Sequence, residues 1–160
     1  MAANNLNWRD LMTNDIKTTA EAIEAAALPH REEIHADPDV KAVDVPEQMA
    51  QQPVTQKSDA QWAYERLILY IQNFEKQLDS EHEVAMGFTG GDAGVLRIEG
   101  MGYFDPDIVT FYGSDTSGIK TQLVQHVSQL NVMFRALPKQ GDAEVEPNRI
   151  GFRLAEALKK

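Results

Sequence analysis

Ala60, Tyr64, Leu67, Ile68, Ile71, Phe74 and Leu78 recur at i, i+4, i+7, i+8, i+11, i+14 and i+18. That spacing draws a single broad apolar stripe along a helix from Ser58 to Leu78, with Ser58 or Asp59 as its cap. A stripe of that width has to be buried against another layer. Trp62 and Leu69 fall off it and point to a second contact surface on the same helix.

The residues that follow supply the layer. In "HEVAMGFTGGDAGVLRIEGMGYFDPDIVTFYG" the apolar positions alternate: Val84, Met86 and Phe88, then Leu96 and Ile98, then Ile108, Thr110 and Tyr112. Turn residues separate the runs at Gly90-Gly91-Asp92 and Asp105-Pro106-Asp107, so three antiparallel strands in a meander are expected. Beyond them Ile119, Leu123, Val127, Leu130, Phe134 and Leu137 fit one face of a second long helix stopped by Pro138. At the end, Ile150, Phe152 and Leu154 alternate like a strand, whereas Ile150, Leu154 and Leu158 are spaced like a helix. The β-branched and aromatic residues around Gly151 favour a short strand from Arg149 to Leu154. The expected class is α+β: a small antiparallel sheet, three-stranded with a short C-terminal strand, packed with two long helices.

Residues 1–57 read differently, as a mostly flexible N-terminal extension to a single domain at 58–160. From Leu28 to Lys57 the chain carries four prolines (Pro29, Pro38, Pro46, Pro53), many charges and no aromatic residue, the composition of a linker. Before it, Trp8, Leu11, Met12 and Ile16, then Ala20, Ile23 and Ala27, are spaced for a short amphipathic helix, with helix-formers from Thr19 to Ala27. Trp8, Leu11 and Met12, with Trp62 and Leu69, are the candidate protein-contact residues.

Charge and composition exclude several classes. The 160 residues hold 15 Lys plus Arg against 25 Asp plus Glu, a formal net charge of -10, which repels a nucleic-acid backbone. No cysteine is present, so disulfides, thiolate metal sites and a Cys nucleophile are out. The N-terminal residues show no basic and apolar signal pattern, and no apolar run nears the ~20 residues that span a bilayer. A cytoplasmic protein without nucleic-acid or membrane partners is expected.

Four blocks, "YERLILYIQNFEKQLDSEHEV", "IEGMGYFDPDIVTFYG", "QLVQHVSQLNVMF" and "NRIGFRL", resemble in this order DUF6173, a family of small bacterial and phage proteins with no established activity. The resemblance runs from Trp62 to about Leu154 and departs in the glycine-rich "GFTGGDAGV". It implies one domain with a variable N-terminal extension, and it brings no established catalytic residue or cofactor to carry across.

The motifs that could carry chemistry each have a plainer use. Gly113 to Gly118, "GSDTSG", would lead from a strand into the second helix and could offer N–H groups to an anion. It lacks the GxxxxGK[ST] pattern, Asp115 would repel phosphate, and Ser, Asp and Thr cap helices by themselves. "TGGDAG" is a hairpin turn rather than a dinucleotide fingerprint, and "DPD" at 105–107 is turn chemistry without the EF-hand series. Among His30, His35, His82 and His126 no metal pair is spaced correctly. His82 lies beside carboxylates, and His126 could serve Ser114, Ser117 or Ser128 as a base, without a GxSxG or SxxK motif.

Three functions follow. The first is a non-catalytic interaction protein that contacts itself or another protein through its sheet and helix surface and its extension. The second is a small-molecule binder, for a nucleotide-like ligand, using Tyr103, Tyr112, Ser114, Thr116, His126 and Arg149. The third is a metal-independent hydrolase built on His82 or His126 with a carboxylate. No cofactor or metal is expected in any of them.

Overall fold

The structure, a computed structural model, describes residues 18–88 and 94–159. These form two compact units, 18–32 with 46–56 and 33–45 with 57–159. Trp8, Leu11, Met12 and Ile16 lie outside the described residues, as does most of the "TGGDAG" turn.

The smaller unit holds α1 (Thr19–Ala27), the short α2 (Glu47–Ala50) and a 3-10 turn at Val54–Gln56. The helix-formers from Thr19 onward do form a helix. Its start is a capping box: Thr18 Oγ1 accepts from Glu21 N–H at 3.2 Å, and Glu21 Oε2 accepts from Thr18 N–H at 2.8 Å.

In the larger unit α3 (Asp59–Glu75) is capped by Ser58, whose hydroxyl accepts from Gln61 N–H. Five strands follow: β1 (His82–Phe88), β2 (Val95–Phe104), β3 (Ile108–Ser114), β4 (Lys120–His126) and β5 (Val132–Pro138). The chain then closes with α4 (Ile150–Leu158). The sheet order is β4-β3-β2-β1-β5 and every described pairing is antiparallel. The α+β class is therefore as the sequence implies.

This sheet cannot be flat. The end of β4 and the start of β5 lie at opposite ends of an intervening β2, so a flat sheet would hold them about 30 Å apart. Six residue steps reach at most about 20 Å, and part of that link, Val127–Gln129, is a 3-10 turn. The curl is taken up in β2. Its start pairs with β1 at Met86↔Leu96 and its remainder with β3, the register slipping between Ile98 and Gly100 so that Glu99 bulges out. Gly113 sits behind the bulge, where a Cβ would lie 2.2 Å from Arg97 O.

Into the curl fits α3. Ala60, Ala63 and Ile71 join Val84, Met86, Leu96, Ile98, Val109, Phe111 and Ile150 in one buried cluster. Phe88 meets Phe111 at 4.9 Å between ring centres, and Phe74 meets Phe134 at 5.7 Å.

Three local expectations need correction. The span read as a second long helix, Ile119 to Leu137, is β4, the 3-10 turn and β5. Its apolar residues share only the helical period, Phe134 and Leu137 falling on opposite faces of β5, and pairing with β3 and β1 overrides that spacing. The span Arg149 to Leu154, read as a strand, begins α4 instead. Gly151 is there because α4 crosses α3 too closely for a side chain: a Cβ would stand 2.8 Å from Gln72 N and 2.9 Å from Gln72 Cα. "GSDTSG" caps no helix. It is the β3–β4 turn, closed by Asp115 Oδ1 accepting from Ser117 and Ile119 N–H at 2.8 and 2.9 Å, with Gly118 at φ +79.

Candidate functional site

Strand alternation gives the sheet two unlike faces. Val109 and Phe111 point inward to α3, so Ile108, Thr110, Tyr112 and Ser114 point outward, and their β4 partners His126, Val124, Gln122 and Lys120 go with them. On β2 the bulge brings Gly100, Gly102 and Phe104 to the same outer face. The helices cover the opposite face, leaving Phe104 77%, Val124 57% and Tyr112 45% exposed. Tyr112 lies over Gly100, where a Cβ would meet its ring at 3.8 Å. The glycine gives the ring a flat seat.

Polar clusters close both ends of this face. At one end the Glu99 carboxylate accepts from Lys120 Nζ at 2.8 Å on both oxygens and from Ser114 Oγ at 2.7 Å. The lysine first, and then the serine, hold Glu99 below the usual glutamate range. At the other end His126 Nε2 stands 3.0 Å from Asp107 Oδ2 and Nδ1 stands 2.7 Å from Ser128 Oγ. Ser128 N–H donates to the same Nδ1 at 3.1 Å. Nδ1 is thus the acceptor, and the neutral ring carries its proton on Nε2, which donates to Asp107.

Chemically this last cluster is a hydroxyl, an imidazole and a carboxylate in series, the arrangement by which a base draws a proton from serine. It also caps the 3-10 turn. His126 and Asp107 side chains are 45% and 42% exposed, so water reaches both. Asp107 enters the sequence reading only within the "DPD" turn at 105–107 and not as a partner of His126. It stands nineteen positions from His126 in the chain, and only the β3–β4 register, Ile108 opposite His126, brings it near.

The six ligand candidates do not converge. Tyr112, Ser114 and His126 share the outer face, whereas Tyr103 turns inward to Tyr64, ring centres 5.1 Å apart. Thr116 is in the exposed β3–β4 turn. Arg149 is at the far end of β1, where its guanidinium donates to His82 O at 2.7 Å and Asp79 O at 2.8 Å. His82 Nδ1 in turn lies 2.7 Å from Asp79 Oδ1, and this contact holds the Asp79 carboxyl below its usual range. Arginine and histidine here lock the turn that leads into β1.

Of the protein-contact candidates on α3, Trp62 and Leu69 are each only 5% exposed. The sequence points to them as a second contact surface of α3 for another protein; within this chain they are buried, and α3 packs on α4 as well as on the sheet. Lys57 Nζ sits 4.3 Å above the Trp62 ring. Among the described residues no group of three or more His, Asp or Glu is placed to hold a metal, and no helix is long and apolar enough to cross a membrane.

A family model described as a family of unknown function, DUF6173, matches residues 52–153. The chain belongs to this family. The matched span takes in α3, all five strands and the start of α4, so the bulged sheet and its outer face are family territory and α1 is not. No curated protein matches the chain, and no solved structure does.

Proposed function

We propose that this DUF6173 chain is a non-catalytic protein-interaction module that self-associates through its sheet surface. One observation carries the reading: among the described residues no helix lies on the outer face of β2, β3 and β4, which presents Phe104, Tyr112 and Val124 between two polar clusters. Aromatic and aliphatic residues ringed by charged pairs are the composition of an interface core and rim. The N-terminal extension, acidic overall, is a second contact region for another protein. Sedimentation velocity on the full chain tests the proposal. A concentration-dependent homo-oligomer is expected, and a monomer at every concentration would overturn it.

A second reading, a metal-independent hydrolase, is favoured by the Ser128–His126–Asp107 geometry. Turnover of an activated aryl ester that disappears in Ser128→Ala supports it. Equal slow turnover in both proteins removes it.

A further inference from the structure

The edge strand β4 is built for pairing. Its seven residues run opposite β3 without a bulge or proline, and among the described residues the backbone of 120–125 makes no backbone hydrogen bond beyond β3, while His126 N–H at the end of the strand donates to Gln129 Oε1 at 3.3 Å. Folds that keep an edge solitary use bulges, proline or a projecting lysine. The lysine here, Lys120, is turned onto the sheet face and held by Glu99. At the other edge β5 ends in Pro138, whose carbonyl is already taken by Arg97 at 2.9 Å.

Charge points to the occupant. The chain carries 25 carboxylate side chains and a net charge of -10, yet none of those carboxylates falls between Asp115 and Asp142. Two copies of so acidic a protein meet least repulsion along a strand with no carboxylate of its own, and β4 is such a strand, the Glu99 and Asp107 carboxylates at its ends being held by Lys120 and His126. If β4 pairs antiparallel with itself about Leu123, all seven residues stand opposite partners, and at the outermost rung His126 N–H exchanges its Gln129 acceptor for the ladder. Lys120 then stands opposite His126 of the partner subunit, which carries Asp107 at 3.0 Å. A cation meets a carboxylate at each end of the ladder, and Gln122 faces Val124 between them.

We propose that β4 pairs antiparallel with β4 of a second copy about a two-fold axis at Leu123, joining the two outer faces into one continuous sheet surface. This rests on the self-association reading and names its contact. In the assembly Val124 and Tyr112 of each copy lie near the seam, which accounts for apolar residues on an otherwise solvated strand.

The test uses the full chain, which has no cysteine of its own. Gln122→Cys and Val124→Cys variants, mixed and oxidised, are expected to give a disulfide-linked heterodimer in preference to either homodimer. Val124→Arg is expected to weaken the dimer at least about tenfold, about 1.4 kcal/mol, with an unchanged circular dichroism spectrum. A wild-type dimer that survives Val124→Arg and shows no preferential cross-link overturns the β4 contact while self-association stands. A wild-type monomer overturns both.

Discussion

Glu75 is the residue whose chemistry is most at odds with its surroundings. It is 2% exposed, accepts from Gly151 N–H at 2.9 Å through Oε1, and its Oε2 has no hydrogen-bond partner among the described residues. Burial pushes its carboxyl above the usual glutamate range, against the lowering effect of the Gly151 and Phe152 amides and Arg149. The folded state therefore holds the proton more tightly than the unfolded chain. Its contribution to stability is fully present below the ordinary glutamate value and is lost as pH rises through the raised one. Glu75→Gln keeps an acceptor for Gly151 and has no charge to bury. The variant should be the more stable protein near neutrality, with the advantage vanishing in acid, as read from urea midpoints of both proteins across pH. Gly151→Ala, one contact away, sets two effects against each other. Alanine gains about 0.5–1 kcal/mol of helix preference, but its Cβ would press on Gln72 backbone atoms that cannot turn aside. Overpacking of this kind costs about 1–3 kcal/mol, so a net loss is expected in the same denaturation assay. Arg149→Ala should also read out as stability, a fall of about 1–3 kcal/mol, because it removes a charged donor from the His82 and Asp79 carbonyls, the second of which keeps only His82 N–H at 3.4 Å.

Among the elements, β2 decides the architecture, and one glycine on its neighbour permits it. At Gly113 a Cβ would fall 2.2 Å from Arg97 O and 3.3 Å from Ile98 Cα, so Gly113→Ala must part β2 from β3 beside the bulge. A loss of about 3 kcal/mol is expected, visible as a lower denaturation midpoint and faster amide exchange in β2 and β3. Nothing in the sequence marks Gly113 as different from the other glycines. The close approach exists only after Ile98 and Gly100 have slipped register. By contrast, α3 was legible, because its cap and stripe are local, and so was the β1–β3 meander, because turn residues punctuate it. The β4–β5 span was not: Leu123, Val127, Leu130 and Phe134 suit a helix, but Leu123 and Phe134 are made extended by partners in β3 and β1, and Val127 and Leu130 fall in the link between the two strands. The same cause hid much of the candidate site. Tyr112, Ser114 and His126 could be named from the sequence, but that they share a face, and that Asp107 joins His126, depends on which strands are neighbours.

At the scale of the whole molecule, charge and contact oppose each other, and their balance can be measured. Two bodies of net charge -10 in contact repel by on the order of 10 kcal/mol in unscreened water. The Lys120–Asp107 approaches proposed across the seam are exposed ion pairs, each worth about 0–1 kcal/mol. Salt weakens both, but the larger effect belongs to the repulsion, which acts over distances well beyond the Debye length of about 10 Å at 0.1 M. The apolar and backbone contacts of a β4 pair are little altered at such concentrations. Self-association should therefore tighten as ionic strength rises from a few millimolar to physiological, and sedimentation velocity in a salt series at fixed pH reads this directly. An oligomer that loosens with salt instead would be held by its ion pairs, and the carboxylate-free stretch from 116 to 141 would lose its meaning as the place where acidic copies can meet.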